Sequence, residues 1–254
     1  MTGPAPIIVH TGVPRVRAAF TTRAGGTSTA PRASLNLGAA TGDDPLHVRA
    51  NRSRVAGALG FDPARAVVLR QVHGSAVYPA DGDGGRDCFT GALDGVADAD
   101  AAATGHPGVA LAVMGADCPM VLAWSADGSR VAAAHAGWRG LVAGVLEAAI
   151  AAITDDVGGV RAAVGPHIGP CCYPVGDDVR AVLADRFGPG VRHGGAVDLG
   201  ACCEVALTGA GVPHDCIEQV GSCTACEDGL FFSYRRDGGD TGRQAGIIWI
   251  EEGA

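Results

Sequence analysis

The sequence contains no lysine, and all 19 of its basic residues are arginine. This absence excludes a phosphate-binding loop built on lysine, a Schiff-base lysine, a lysine general base and attachment of pyridoxal phosphate. Phosphate, if it is bound, must be held by arginine, backbone N–H groups or helix N-termini. The net charge is −8, whereas nucleic-acid binders usually carry an excess of positive charge. We therefore expect no nucleic-acid partner, although a local arginine cluster could bind a small anion.

Long hydrophobic runs are missing as well. No apolar segment approaches the roughly 20 residues that a membrane-spanning helix needs. The first ten residues lack the basic start and apolar stretch of an export signal. We therefore expect a soluble cytoplasmic protein with no membrane partner. Its nine cysteines, an odd number, then indicate reduced thiols and not a secreted disulfide framework.

Apolar and β-branched segments between glycine-rich turns predict the secondary structure. Strands are expected at residues 16–22, 66–78, 109–114, 121–124, 131–135, 162–164, 217–220 and 246–250. Helices are expected at residues 45–59, 140–153, 177–187 and 198–210, with Asp43 or Asp44 capping the first and Asp198 the last. Many strands, few helices and no βαβ rhythm favour an α+β fold. Residues 1–254 are predicted to form one domain, with a surface excursion at residues 81–95.

Three short segments place a potential metal ligand at or just after a strand. They are Gln71-Val72-His73-Gly74, Asp117-Cys118-Pro119 and Ala134-His135-Ala136-Gly137. Imidazole nitrogen and thiolate sulfur are ligands that zinc prefers, and three protein ligands leave a fourth position open, as in catalytic sites. The intervals between them match no compact zinc motif. On spacing alone, ordinary hydrogen-bonded polar residues at strand ends remain the alternative.

Ordered blocks along nearly the whole chain resemble the YfiH/YlmD family, whose members are variously labelled laccase-domain protein, multicopper polyphenol oxidase and purine nucleoside phosphorylase. The blocks are residues 20–26, 34–38, 42–45, 51–52, 71–74, 116–118, 135–140, 165–169, 231–238 and 241–243. The resemblance implies that His73, Cys118 and His135 are catalytic residues and zinc ligands. It also implies a four-layer αββα sandwich.

The same resemblance implies a reaction. It is zinc-dependent phosphorolysis of purine nucleosides, in which adenosine, inosine, guanosine or methylthioadenosine reacts with phosphate to give free base and ribose 1-phosphate. Adenosine deamination is implied as a companion activity. Purine nucleosides and phosphate are then the expected partners, and zinc is the expected cofactor, with copper as the alternative.

Three further residues are candidate substrate contacts. Asn36 could hydrogen-bond ribose or base, and Arg52 could bind phosphate, with a solvated helix face as the alternative for Arg52. Arg139 follows His135 by four residues and could neutralise a phosphate, with a salt bridge at the helix start as its alternative. Asp117 is expected to anchor a neighbouring loop, because adjacent strand side chains point to opposite faces.

Other functions remain open at this point. Copper-dependent oxidation of phenols would need many histidines, typically with His-x-His pairs, and none of the eight histidines forms one. A metal-free cysteine hydrolase or peptidoglycan-linked amidase would use Cys118 as nucleophile, with His135 or His73 as base. A non-enzymatic nucleotide-binding protein is the remaining alternative.

One cysteine pair is not explained by any of these functions. Cys223-x-x-Cys226 is typical of a redox motif or of half a structural metal site. Such a site could be completed by Cys171, Cys172, Cys202 or Cys203. The second C-x2-C motif that would support this interpretation is missing, so the sequence leaves it open.

Overall fold

The computed structural model describes residues 3, 5–81, 87–91, 95, 97–154 and 159–253. The strands in this part of the chain are β1 (Ile7–Val9), β2 (Val16–Phe20), β3 (Ala66–Val68), β4 (Val77–Pro79), β5 (Ala101–Thr104), β6 (Ala110–Gly115), β7 (Met120–Trp124), β8 (Val131–His135), β9 (Arg161–Val164), β10 (Arg192–His193), β11 (Ala196–Val197), β12 (Ile217–Gln219) and β13 (Gln244–Ile250). The α-helices are α1 (Pro45–Leu59), α2 (Trp138–Ala143), α3 (Val145–Ala151), α4 (Asp177–Phe187) and α5 (Leu199–Gly209).

Two mixed sheets organise these strands. The first has the order β1-β2-β13-β6-β3 and is antiparallel except for the pair β6–β3. The second has the order β12-β9-β7-β8-β5-β4 and is parallel only in its two outermost pairs. A short antiparallel pair, β10–β11, lies apart from both sheets.

Strand β7 shows how the layers stack. All five of its residues are buried, so neither face is left to solvent. Val121 and Ala123 belong to an apolar cluster that joins the second sheet to α2, α3, α4 and α5. Leu122 and Trp124 belong to a cluster that joins the two sheets face to face. A third cluster packs α1 on the outer face of the first sheet, which gives the predicted α+β, four-layer αββα arrangement.

The helix predictions are largely confirmed. Asp44 caps α1 through a bond from the Leu46 N–H (2.8 Å), and Asp198 caps α5 through a bond from the Ala201 N–H (3.0 Å). The prediction of one helix at residues 140–153 is wrong, because Gly144 adopts φ +87 and separates α2 from α3. Among the residues that the structure describes, no helix is long and apolar enough to cross a membrane.

The strand predictions merge two strands into one and omit β1, β5, β10 and β11. Residues 66–78 are not one strand: β3 belongs to the first sheet and β4 to the second, and His73 turns between them with φ +60. Strand β5 was not predicted at all, because its sequence Ala-Ala-Ala-Thr has little β propensity. The excursion predicted at residues 81–95 lies mostly outside the described residues.

Candidate metal centre and pocket

The three predicted metal ligands meet at one end of the sheets. His73 lies in the loop between β3 and β4, Cys118 in the turn between β6 and β7, and His135 at the end of β8. One ligand atom from each residue lies within 4.8 Å of the other two. The two imidazole rings pack edge to face, with 4.9 Å between their centroids. Residues that are far apart in sequence therefore form one compact donor set.

Two neighbouring side chains hold the loops that carry these ligands. Gln71 donates from Nε2 to the Met114 carbonyl (2.7 Å) and accepts from the Met114 N–H (2.8 Å), which fastens the His73 loop to the end of β6. Asp117 accepts from Thr224 Oγ1 (2.7 Å) and from the Arg235 N–H (2.6 Å), as a loop anchor should. Asp117 has φ +95, an unusual conformation for a residue other than glycine, and these bonds help to hold it.

A buried carboxylate that no sequence motif indicates links two of the candidate ligands. Asp100 is completely buried and accepts from the N–H groups of Val72 (3.0 Å), His73 (3.0 Å) and Gly74 (2.7 Å). It also contacts Nδ1 of His135 at 2.8 Å. Because an ionised carboxylate can only accept, Nδ1 carries a proton, and Nε2 is the ring nitrogen that can bind a metal once it is deprotonated. Carboxylates commonly orient metal-binding histidines in this way.

Charge within the donor set favours the ionised form of its thiol. Burial would raise the pKa of Cys118, but the charge of His135 and hydrogen bonds from His135 and His73 lower it to about 6. For His135, burial would lower the pKa, but Cys118 and Asp100 raise it to about 9. Without a metal, the pair is therefore a thiolate and an imidazolium at neutral pH.

The donor set fits zinc. Tetrahedral zinc, with bonds of about 2.0 Å to nitrogen and about 2.3 Å to sulfur, holds its ligand atoms about 3.5 Å apart. The ligand atoms of His73, Cys118 and His135 lie at most 4.8 Å apart, which approaches this spacing. Gly137 makes the close approach possible, because a Cβ there would lie 2.9 Å from Cδ2 of His73 and 3.2 Å from Sγ of Cys118. Metal binding by His73, Cys118 and His135 stays a prediction, with which their geometry agrees.

A cavity of about 1140 Å³ opens beside the three ligands. Its size is ample for a small-molecule ligand. Within the described part of the chain, the only carboxylate in its wall is Asp117, whose oxygens are already engaged. Cationic and aromatic side chains face it instead, namely Arg49, Arg52, Arg70, Arg139, Arg235, Arg243, Tyr173 and Tyr234. The cavity is therefore suited to an anion and a flat ring.

Four of these arginines lie on aromatic rings, and the first, Arg52, lies 5.2 Å from the Phe89 ring centroid. The guanidinium of Arg139 lies 4.4 Å from the Trp138 ring centroid, that of Arg235 lies 5.0 Å from Tyr173, and that of Arg243 lies 5.7 Å from Tyr234. Arg139 is exposed and, among the described residues, makes no ion pair, so the salt bridge considered for it from sequence is not observed there. Its N–H groups are available to a bound anion.

Asn36 lies behind the cavity wall. It is completely buried, and its amide donates to Thr41 Oγ1 (2.9 Å) and Asp43 Oδ2 (2.8 Å). Its Oδ1 accepts from the N–H groups of Gly38 (3.0 Å) and Arg243 (2.9 Å). Contact with substrate stays a prediction for Asn36, and the observed bonds give it a different role: positioning Arg243.

Arg52 is buried, with 1% of its surface exposed, so the solvated helix face considered for it is wrong. Its guanidinium donates to the carbonyls of Leu37 (2.9 Å), Cys88 (3.2 Å) and Phe89 (2.9 Å). Burial lowers its pKa to about 10. Phosphate binding by Arg52 stays a prediction, although most of its donors already serve backbone carbonyls.

The chain is similar in sequence to proteins of known name. A family model described as multi-copper polyphenol oxidoreductase laccase matches residues 17–251. The chain is 42% identical over 244 residues to the protein named purine nucleoside phosphorylase YfiH of Escherichia coli (strain K12), covering 92% of this chain and 94% of that protein. It is 38% identical over 257 residues to purine nucleoside phosphorylase YlmD of Geobacillus stearothermophilus, covering 92% and 90%.

Solved structures share the fold. The crystal structure of YlmD from Geobacillus stearothermophilus matches with a TM-score of 0.87 at 36% identity, over 94% of this chain and 93% of that one. The Bacillus licheniformis hypothetical protein YfiH matches with a TM-score of 0.86 at 31% identity, over 97% of both chains. The chain belongs to this family, described as multi-copper polyphenol oxidoreductase laccase and containing the YfiH and YlmD proteins.

Proposed function

We propose that the chain is a zinc-dependent purine nucleoside phosphorylase. The observation that carries the proposal is the arginine- and tyrosine-lined cavity that opens directly onto His73, Cys118 and His135. The names of the YfiH and YlmD relatives support the same activity. We include in this proposal the single-domain organisation and the cytoplasmic location predicted from sequence.

The metal ligands would be His73, Cys118 and His135. Zinc bound there would supply a Lewis acid that polarises an oxygen atom of the substrate. Asp100 keeps the proton of His135 on Nδ1, so that Nε2 faces the site as a ligand. The mixed imidazole and thiolate donors favour zinc, with copper as the less favoured cofactor.

The arginines would bind the phosphate co-substrate. Planar guanidinium groups pair with phosphate oxygens through two parallel hydrogen bonds, and no lysine is present to replace them. In phosphorolysis, a phosphate oxygen forms a bond to C1′ of the ribose while the bond from C1′ to the base breaks. The electron pair of that bond goes to the base nitrogen, which takes up a proton. Arg139 would hold the phosphate in position and offset its charge.

The tyrosines would receive the purine. Tyr173 and Tyr234 line the same cavity as the arginines, and aromatic rings stack favourably on flat heterocycles. Adenosine deamination, the companion activity in this proposal, would occur at a different carbon: water adds to C6 of the purine and ammonia leaves, which gives inosine. A site of this kind would accept adenosine, inosine, guanosine or methylthioadenosine, because the recognition elements face the purine ring and the phosphate.

Copper-dependent oxidation of phenols is the competing proposal, since the family description names it. Sites that hold several copper ions need many histidines. Among the described residues, the two groups able to hold a metal contain only two histidines between them, with five cysteines. The donor chemistry therefore favours zinc and nucleoside phosphorolysis.

A product analysis tests the proposal. The purified protein is incubated with each of the four nucleosides, with and without phosphate, and free base, ribose 1-phosphate and inosine are measured. Phosphate-dependent release of base and ribose 1-phosphate is expected, and phosphate-independent inosine from adenosine would establish deamination. Oxidation of a phenol panel by the copper-loaded protein, without nucleoside turnover, would favour the laccase. Absence of all turnover despite bound zinc would favour a binding protein.

A further inference from the structure

A second group of metal-binding side chains lies outside the cavity. It consists of Cys171, Cys172, Cys223 and Cys226, whose four Sγ atoms all lie within 4.8 Å of one another. Sγ of Cys226 is 3.7 Å from Sγ of Cys171 and 3.5 Å from Sγ of Cys172. The pair Cys223-x-x-Cys226 is thus completed by the adjacent pair Cys171–Cys172. The other two cysteines considered from sequence, Cys202 and Cys203, are instead buried in α5.

The sulfur separations distinguish a metal site from a disulfide. Tetrahedral zinc with Zn–S bonds of about 2.3 Å places its sulfur atoms about 3.8 Å apart. A disulfide would bring two of them to about 2.05 Å. All four cysteines are free thiols in this structure, and the separations of 3.5 and 3.7 Å are close to those of thiolates around a single ion. A cluster of several irons would need wider spacing between the thiolates.

The surrounding backbone is arranged for thiolate ligands. The N–H groups of Cys226 and Glu227 both donate to the Cys223 carbonyl (3.1 Å each), which folds the C-x2-C segment into a tight turn. The Gly169 N–H donates to Sγ of Cys223 at 3.2 Å, a bond that stabilises negative charge on sulfur. A Cβ on Gly169 would lie 3.3 Å from Sγ of Cys171, so a larger residue would crowd the sulfur atoms.

We propose that Cys171, Cys172, Cys223 and Cys226 bind a structural zinc ion that is separate from the ion at His73, Cys118 and His135. Four sulfur donors suit zinc, and four protein ligands close its coordination sphere, which is the pattern of a structural site. The inference does not depend on the proposed phosphorylase function, because it uses no residue of the cavity wall as a ligand.

The proposed zinc site lies beside residues that form the cavity wall. Thr224 lies between two of the ligands, is completely buried and donates to Oδ1 of Asp117 at 2.7 Å, beside Cys118. Tyr173 directly follows Cys172 and lines the cavity. The structural zinc would therefore hold both the turn that presents Cys118 and one aromatic wall of the cavity.

Metal analysis of single-cysteine variants tests the inference. Wild-type protein purified under reducing conditions should contain about two equivalents of zinc per chain. Cys226→Ser should lose one equivalent, and Cys118→Ala should lose the other. Cys216→Ser is the matched control, because Cys216 is half-buried and outside both groups, and it should keep both ions.

A second measurement covers the case in which Cys226→Ser does not fold. Zinc X-ray absorption of Cys118→Ala, which retains all four cysteines, should show about four sulfur neighbours at about 2.3 Å. Loss of all zinc from Cys118→Ala, or a disulfide between any two of the four cysteines in anaerobically purified protein, would overturn the inference. The first of these results would leave the catalytic zinc and the proposed function intact. If Cys118→Ala retains zinc but the wild type shows no turnover, the structural zinc site stands and the proposed phosphorylase function fails.

Discussion

Asp100 and His135 are joined by a hydrogen bond of 2.8 Å between a fully buried carboxylate and a ring nitrogen. The same carboxylate receives the backbone N–H of His73. One side chain therefore sets the tautomer of one candidate metal ligand, His135, and the loop position of another, His73. Burial would raise the pKa of Asp100, but its bonds from His135, Gly74 and Val72 lower it, so the carboxylate stays ionised at neutral pH.

Asp100→Asn should weaken the metal centre without unfolding the protein. The substitution keeps the size of the side chain but removes the charge and one acceptor, so the His135 ring loses its fixed tautomer. We expect zinc affinity to fall by about 10- to 100-fold, measured by competition with a chelator. The same change at Asp185, which is exposed on α4, should leave affinity unchanged. Wild-type zinc affinity in Asp100→Asn would show that this carboxylate does not orient the ligand.

Gly137→Ala should obstruct the same centre by steric means. Gly137 has φ −61, which alanine adopts readily, so the expected effect comes from the new Cβ at 2.9 Å from His73 and 3.2 Å from Cys118. We expect loss of zinc from the catalytic site with little change in the urea midpoint of unfolding. Gly57→Ala is the matched control: its Cβ meets nothing within 4 Å, and the helix α1 should gain about 0.5–1 kcal/mol. A Gly137→Ala protein with full zinc content contradicts this explanation.

Arg139→Ala should act on phosphate and not on the fold. Loss of a charge-assisted hydrogen bond of about 1.5–3 kcal/mol corresponds to a rise of about 10- to 100-fold in KM for phosphate. Steady-state kinetics with varied phosphate at saturating nucleoside would measure it, and Arg139→Lys should recover only part of the loss. Arg192→Ala, at an exposed arginine on β10, serves as the control. An unchanged KM for phosphate would show that another arginine binds the anion.

Zinc affinity at the catalytic centre should depend on pH in two stages. The pKa of Cys118 is lowered to about 6 and that of His135 is raised to about 9. Between these values the thiol is already ionised and His135 must lose one proton, so affinity should rise about tenfold per pH unit. Below about pH 6 the thiol is protonated as well, and affinity should fall more steeply, by at least about hundredfold per unit, because protonation of any of the three ligands competes with zinc. Zinc titrations of Cys226→Ser, which isolates this centre, would measure both slopes. A flat profile between about pH 6 and pH 9 would contradict the imidazolium assignment.

The parts of the fold that sequence predicts well are those with strong local signals. Helices α1 and α4 have the predicted bounds, since an Asp–Pro start marks α1 and glycines end both. Strand β8 also has the predicted bounds. The errors have tertiary causes: the left-handed turn at His73 divides one predicted strand between two sheets, and burial on both faces makes a strand of alanine-rich β5.

The candidate site likewise contains residues that the sequence identifies and residues that it does not. Its three ligands could be named because each stands in a short block that resembles the family. Asp100 could not, because its role depends on bonds to two segments far from it in sequence, and it lies in a run of alternating Asp and Ala with no motif. Tyr173 and Arg243 likewise reach the cavity only through the packing of distant loops.

The most direct test of the account joins metal content to turnover in one variant, Cys118→Ala. Wild-type protein should produce ribose 1-phosphate from inosine only when phosphate is present, and Cys118→Ala should lose this activity together with one equivalent of zinc while its urea unfolding stays cooperative. The contradicting result is a wild-type protein that has no zinc at His73, Cys118 and His135 and that hydrolyses an amide. If its Cys118 also reacts with electrophiles at neutral pH, the protein is a cysteine hydrolase.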